Sequence, residues 1–505
     1  MKNTPIILAI ALSLSGFSEC IAQDSEPKAT ELNFTDLRQV AQVDIRYQSV
    51  NVEMCEVVGG DFWIPYNLLD SAKVAREGFS ALKRTIPPVD LYERKLRMLA
   101  SALGPMYIRV SGTWANNTYF QDIDGPKLAN APLGYENVLT QAEWKGVIDF
   151  CQATDSKLVT SFAISQGIRD EEGNWTPAQA EPLIYYTKWI GGEIAAAEMF
   201  NEPSHASYGD APYGYDAAYY NRDFAAFRTY MAQALPEMKI LGPGSAGEGG
   251  IMGAASEVPT DSIFSREPKP EFDIFSYHFY GGVSKRCMGD LSPENALTDE
   301  WLSKTEQGLK YYEDARDKSL PDAPIWLTET AEAACGGNPW AATYVDCFRY
   351  LEQLGRLARK GVQVVMHNTL CASEYALLEQ DTHDPRPNYW AALLWNRFMG
   401  TKVYDGASLH AGLDIFVHDL KETPGGYAVL VVNPKGSESV LEIPAAAEQY
   451  LLTAEELLTK TVMLNDQELK LGSDDSLPEI HGKRLRKGDV RIPPHSILFL
   501  AFENK

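Results

Sequence analysis

Short apolar runs recur along the first four hundred residues, each followed by an amphipathic or turn-rich stretch. QSVNVEM (48–54), MYIRV (106–110), KLVTSFA (157–163) and IAAAEMF (194–200) open the series. MKILG (238–242), DIFSYHF (273–279), IWLTE (325–329) and VQVVMH (362–367) continue it. Most are apolar at nearly every position, the pattern of strands covered on both faces of a parallel sheet. The intervening LTQAEWKGVIDFCQATDS and AATYVDCFRYLEQLGRLARKG carry apolar residues at helical spacing. Eight strand–helix units predict an α/β fold, a closed (β/α)8 TIM barrel over residues 46–400. The rival is an open doubly wound sheet, which eight regular repeats suit less well.

The texture changes after Gly400. IFVHDL, YAVLVVN, SVLEIP, TVMLND and RIPPHSILFLAFEN are β-branched runs broken by Gly, Pro, Asn and Asp. They predict an antiparallel β-sandwich over 401–505. ATELNF and QVDIRY, within or bordering residues 23–45, are also strand-like and are expected to join it. The N-terminal MKNTPIILAIALSLSGFSECIAQ reads as a signal peptide over 1–22 with cleavage after Ala22. A lipoprotein signal ending at Cys20 is disfavoured by Phe17 and Glu19. The expectation is an exported protein, periplasmic or extracellular. No later segment has the roughly 18 consecutive apolar residues of a membrane span. A formal charge of −24 argues against nucleic acid and anionic membranes as partners. Six cysteines follow the leader, with no zinc-like spacing. Cys55, Cys287, Cys335 and Cys371 fall just after barrel strands, where a bridge among them is plausible with its pairing open. Cys151 and Cys347 fall in helix patterns and read as buried free thiols.

The candidate chemistry lies at two strand ends. AEMFNEPSH (197–205) places Glu202 after the fourth strand, and PIWLTETAEAACGG places Glu329 at the end of the seventh. Catalytic side chains of a barrel project from the C-terminal ends of its strands, so both glutamates belong to one rim. Two carboxylates facing across a barrel mouth suit glycoside hydrolysis, one a protonated acid, the other an ionised nucleophile or base. Either glutamate alone would read as a helix cap or a salt-bridge partner; the pair points to chemistry. Asn201 is placed to meet a sugar hydroxyl.

These segments, with YIRVSGTWANNTYF, SYHFYGG and VVMHNTLCASEYALLEQDTHDPRPNYWAALLWNRFMG, resemble glycoside hydrolase family 79, the heparanase and β-glucuronidase group. The likeness covers roughly residues 40 to 400 well and the sandwich loosely. It implies a barrel with a sandwich built from both termini. It further implies that Glu202 is the acid/base and Glu329 the nucleophile, and that Tyr280 supports the nucleophile. Gly336, Gly337 and Tyr375 match positions that hold a glucuronate carboxylate, and Glu53, Thr113 and Asn201 match sugar-hydroxyl contacts. The chain departs from the family by one residue between Glu329 and the glycine pair. It also lacks the long excised linker that heparanase carries between its first two barrel strands.

The reading is therefore a retaining, exo-acting β-glucuronidase that needs no cofactor and no metal and takes a carbohydrate partner. The alternatives are an endo-acting heparanase-like glycosidase and an inactive carbohydrate-binding protein on the same scaffold. GPGSAG (242–247) matches a dinucleotide-site pattern but opens no helix and follows no first strand. His278 and His367 read as strand-end wall residues. Trp63, Trp114, Trp340 and Trp390 lie in or just beyond rim loops, where core packing is the commoner reading and sugar stacking the other. KRLRK (483–487) reads as a solvated sandwich loop.

Overall fold

The computed structural model describes residues 30–35, 37–252, 255–406 and 413–503. The expected leader over 1–22 lies outside them. Eight parallel strands close into a barrel: Gln48–Glu53, Met106–Ser111, Ser156–Ser161, Ile194–Glu198, Lys239–Ala246, Ile274–Tyr280, Ile325–Ala331 and Val364–His367. Each pairs with the next, and the eighth returns to the first with Val365 opposite Gln48. All eight expected strands are present. GPGSAG forms most of the second half of strand five rather than a phosphate loop. The helix Gln141–Ala153 starts where the sequence signals it. The Thr140 side chain accepts from the Glu143 N–H, and Glu143 in turn accepts from the Thr140 N–H.

The barrel interior is graded along the strand direction. Tyr107, Val159, Ala196, Leu241, Ile274, Trp326, Val364 and Met366 pack into one apolar floor. Two residues further along, Arg109, Ser161, Glu198, Ser276 and Thr328 are equally buried but polar. Strand seven breaks the alternation. Leu327 lies opposite Tyr277 but Glu329 lies opposite His278, so Thr328 is an extra residue in a bulge. The bulge lets Thr328 bond Glu198 while the next residue, Glu329, reaches Arg109 on the same side.

Between strands one and two, a hairpin of Gly60–Trp63 with Lys83–Ile86 stands over the barrel mouth. The sequence reading did not identify it. The C-terminal region forms a nine-stranded antiparallel sheet facing a mixed three-stranded one. Along its central strands alternate residues serve two cores. Ile415, Val417, Val429, Val431, Leu498 and Leu500 fill the sandwich. Phe416, Leu430, Val432, Ile497 and Phe499 pack toward the barrel. Both termini contribute, as the sequence led us to expect. Thr30–Glu31 pairs in parallel with Ser439–Ile443, and Gln39–Gln42 pairs with Met399–Tyr404. That second N-terminal strand lies upstream of the expected QVDIRY, most of which forms the turn into the barrel. Met399–Tyr404 runs across the expected boundary at residue 400. KRLRK is a loop only in its second part: Lys483–Leu485 is a short edge strand paired with Ala447–Gln449, and Arg486 and Lys487 form the exposed turn after it.

Candidate active site

Arg109 organises the polar layer. A guanidinium buried in a barrel is tolerated only with partners on several sides, and here three residues accept four hydrogen bonds from it. It donates to Glu198 Oε2 through Nε (3.2 Å) and Nη2 (2.8 Å), to Glu329 Oε2 at 2.9 Å and to Asn201 Oδ1 at 2.8 Å. Glu198 also accepts from the hydroxyls of Ser276 and Thr328, both at 2.9 Å. Burial alone would raise Glu198, but Arg109 more than offsets it and holds the carboxylate well below its ordinary value. Glu329 accepts at its other oxygen from the Tyr280 hydroxyl at 2.6 Å. Both of its oxygens are thus oriented by donors.

Glu202 sits in left-handed backbone, φ 50 and ψ 73, immediately before Pro203. A non-glycine residue there costs about 1–3 kcal/mol and persists only when its surroundings impose it. Asn116 does so, accepting the Asn201 N–H and donating to the Asn201 carbonyl, each at 2.8 Å. That is what ends strand four on Asn-Glu-Pro: the amide and proline shape a turn that aims one carboxylate inward. His278 faces it, with Nδ1 2.9 Å from Glu202 Oε1.

The ionisation of this pair follows from Arg109. Burial lowers His278, but Glu329 and the bonds to Glu198 and Glu202 pull it up to about 9. Against that, His278 Nε2 lies 3.3 Å from Arg109 Nη2, and a guanidinium only donates. A proton on Nε2 would set donor against donor, so we assign a neutral ring with its hydrogen on Nδ1, donated to Glu202 Oε1. Burial raises Glu202, whereas a charged His278 would hold it below the ordinary carboxylate value. A neutral His278 removes that charge and leaves burial opposed by Arg109 and by the hydrogen bond at Oε1, while Oε2 is free to carry a proton. One ligating atom each of Glu202, His278 and Glu329 lies within 4.8 Å of the others. Two carboxylates and an imidazole could ligate an ion, but a cation there would compete with Arg109 and Tyr280.

On the opposite wall, Asn368 follows strand eight and donates to Glu53 Oε1 (2.9 Å), Tyr280 (3.1 Å) and Tyr375 (3.2 Å). It ties three of the candidates together and was not singled out from the sequence. Glu53 is 5% exposed, and its Oε2 has no partner among the described residues. Burial pushes it well above its ordinary value, and the charge on Glu329 adds to this. A Cβ on Gly112 would fall 1.5 Å from Glu53 Oε2, and its φ is +88, so strand two can only leave the barrel through a glycine. Thr113 follows at the start of a half-buried turn.

Gly336 and Gly337, with φ of 78 and 75, sit in a heavily tied loop. Cys287 and Cys335 are bridged; Cys55, Cys151, Cys347 and Cys371 are free and buried. Asn338 donates its N–H and Nδ2 to Glu332, at 2.8 and 2.9 Å, and accepts from the Lys285 N–H at 2.9 Å. Ser373 Oγ donates to the Gly336 carbonyl at 2.8 Å, and a Cβ on Gly337 would meet Tyr375. His367 donates from Nε2 to the Tyr375 carbonyl at 2.8 Å, in keeping with a wall residue.

The structure thus brings Glu202, Glu329, Asn201 and Tyr280 into one hydrogen-bonded cluster. Asn368 joins Glu53 and Tyr375 to it, and the glycine pair lies against Tyr375. Trp63 and Trp114 are half-buried on the hairpin side of the mouth. Trp340 is buried against Trp301, and Trp390 is 2% exposed inside the helix Pro387–Phe398. For these two core packing, the commoner reading of a tryptophan beyond a rim loop, is what the structure shows, because each follows its strand by enough residues to fall in a helical turn. Arg109 and Glu198 were also passed over. Their signal was available: opposite charges in MYIRV and IAAAEMF, both read as buried strands, require each other.

Comparison with known proteins bears on the family and the fold. Bovine (Bos taurus) heparanase is 25% identical over 373 residues, 70% of this chain and 66% of that protein. Hyaluronoglucuronidase of Hirudo nipponia is 26% identical over 440 residues, 78% of this chain and 86% of that protein. Among solved structures, a 4-O-α-L-rhamnosyl-β-D-glucuronidase from Fusarium oxysporum superimposes with a TM-score of 0.63 at 12% identity, covering 94% of this chain and 100% of that one. A family 51 arabinofuranosidase from Xanthomonas axonopodis pv. citri gives 0.59 at 14% identity, covering 92% and 98%. At these identities the two structures speak for the fold alone. The family model described as "Glycosyl hydrolase family 79, N-terminal domain" matches residues 70–355. It spans more than half of the 505 residues, and the chain belongs to glycosyl hydrolase family 79.

Proposed function

We propose that the chain is a retaining, exo-acting β-glucuronidase that removes terminal β-linked glucuronic acid from weakly charged glycans or glycosides. The observation that carries this is the pair of glutamates: carboxylate oxygens of Glu202 and Glu329 lie within 4.8 Å of each other. Retaining pairs stand about 5–5.5 Å apart and inverting pairs about 6.5–9.5 Å, the difference being room for a water. Glu329, held by Arg109 and Tyr280, attacks the anomeric carbon while Glu202 gives the proton on Oε2 to the departing oxygen. The glycosyl–Glu329 ester is then cleaved by a water whose proton returns to Glu202. His278 keeps Oε1 occupied throughout, so the same oxygen gives and regains the proton. Exo action is favoured by enclosure, since the two side chains are only 15% and 8% exposed. Preference for a uronate rests on the glycine pair and Tyr375, whose donors would be left unpaired by a neutral sugar. The heparanase and hyaluronoglucuronidase relatives keep the endo reading as the competitor.

The test is turnover of an aryl β-D-glucuronide followed by proton NMR. β-Glucuronic acid as the first product is expected. An α first product would sink retention, and turnover of the matching glucoside at an equal rate would sink the uronate preference.

A further inference from the structure

Three successive peptide groups run through the glycine pair, and each is held from a different place. The Cys335 carbonyl accepts from Ser284 Oγ at 3.0 Å. The Gly336 carbonyl accepts from Ser373 Oγ at 2.8 Å and from the Glu374 N–H at 3.1 Å. The third group is held by its donor instead, the Asn338 N–H reaching Glu332 Oε2 at 2.8 Å. In a trans peptide the N–H points away from its own carbonyl. Anchoring the first two carbonyls therefore turns the Gly336 and Gly337 amides to the other side of the loop. Neither amide donates to a protein group among the described residues. Gly337, at φ 75, makes no hydrogen bond of its own there, so its neighbours set its place.

Glu332 is the inner anchor of the three. It lies just past strand seven, three residues after Glu329, and is fully buried. Both of its oxygens are spent on Asn338, Oε2 on the N–H and Oε1 on Nδ2 at 2.9 Å. The loop 332–338 is thereby closed on itself. Asn338, equally buried, accepts the Lys285 N–H and passes the anchor on to the loop after strand six. Burial and the charge on Asp346 lift the Glu332 carboxyl to about 7, against the two bonds from Asn338 and the charge of Arg349. A carboxyl is a costly group to bury, and what it supplies here is two acceptors on one rigid plane. The other two anchors come from the loops after strands six and eight; Glu332 alone comes from the strand that carries the proposed nucleophile. The carboxylate and the anomeric carbon of a uronate belong to one ring, so the groups that hold them must keep a fixed separation. Glu329 and Glu332 on one segment provide that common reference.

We propose that Glu332 is a positioning residue for uronate recognition: through Asn338 it fixes the Gly336 and Gly337 amides relative to Glu329. It acts without touching the substrate. The proposal rests on the β-glucuronidase reading but is tested apart from it.

The experiment measures kcat and KM of the full chain on an aryl β-glucuronide and on the matching glucoside. Glu332→Gln keeps the shape but sets a donor against one of the two donors of Asn338. It is expected to raise KM for the glucuronide about tenfold, the scale of one charge-assisted hydrogen bond. Its kcat on the glucuronide and its KM for the glucoside should each change by less than about twofold, because what is lost is ground-state binding of a carboxylate. Combining Glu332→Gln with Asn338→Asp exchanges donor and acceptor across the same contact, and should bring KM back to within about threefold of the parent. Should Glu332→Gln fold poorly, Asn338→Asp alone sets acceptor against acceptor and reads the same split. Equal losses on both substrates, no loss on either, or a combined variant no better than the worse single one overturns the proposal. If the parent itself shows no preference for the glucuronide, the uronate reading fails separately. Amide hydrogen exchange over residues 333–338 then still decides the role of Glu332. Exchange about tenfold faster in Glu332→Gln, and slowed again in the combined variant, supports it; unchanged exchange overturns it.

Discussion

At the scale of the residue, position 112 is the least forgiving in the site. Any side chain there meets the Glu53 carboxylate and must also adopt a positive φ. Gly112→Ala is therefore expected to displace Glu53, lowering kcat/KM on an aryl glucuronide at least a hundredfold while the chain still folds. Tyr375 tests recognition rather than chemistry. Tyr375→Phe removes one hydroxyl aimed at an anion, and should cost about tenfold on a glucuronide and under twofold on the matching glucoside. Equal losses would remove Tyr375 from that role. Glu202 and Glu329 were legible in the sequence because an unusual residue type sits at a strand end. Asn368 was not, since an asparagine after VVMH has the look of any turn residue. Its role exists only through Glu53, Tyr280 and Tyr375, which come from three other places in the chain.

At the scale of the element, the barrel strands were readable because burial on both faces writes a continuous apolar run. The hairpin Gly60–Trp63 with Lys83–Ile86 carries no such run: GDFW and KRTI are half polar, and three short helical segments separate them. The bulge at Thr328 was equally silent, for a β-bulge changes which way a residue points and leaves composition untouched. The loops after strands six and seven act as one element, laced by Cys287–Cys335 and by the Ser284 and Ala334 backbones. The bridge closes a span of 48 residues, so replacing both cysteines with serine should cost about 2–4 kcal/mol in chemical denaturation. Because Cys335 adjoins Gly336, the same variant should raise KM for a glucuronide severalfold with kcat changed less. An unaltered KM would show that hydrogen bonds alone position the glycines.

At the scale of the whole molecule, buried carboxyls link stability to pH. Burial lifts Glu56 from 4.5 to about 7. Its folded form binds the proton more tightly than the unfolded chain, so this stabilisation is full below about pH 4.5 and is lost as pH rises through 7, about 3 kcal/mol in all. His367, which burial lowers to about 3, acts oppositely: it withdraws stability as pH falls below about 6.5. The difference between parent and Glu56→Gln isolates the first effect. The parent's stability relative to the variant should fall between pH 4.5 and 7.5, and a flat difference would refute the assignment. The pairing of Thr30 with Leu441 has a consequence in time. More than four hundred residues separate the partners, and a ribosome adding 5–20 residues per second needs about 20–80 s to supply the second after the first. For that interval the opening strand of the nascent chain has no native neighbour. A stalled or prematurely ended message therefore leaves a nearly complete barrel with a bare β-edge at its beginning, open to the first extended segment it meets.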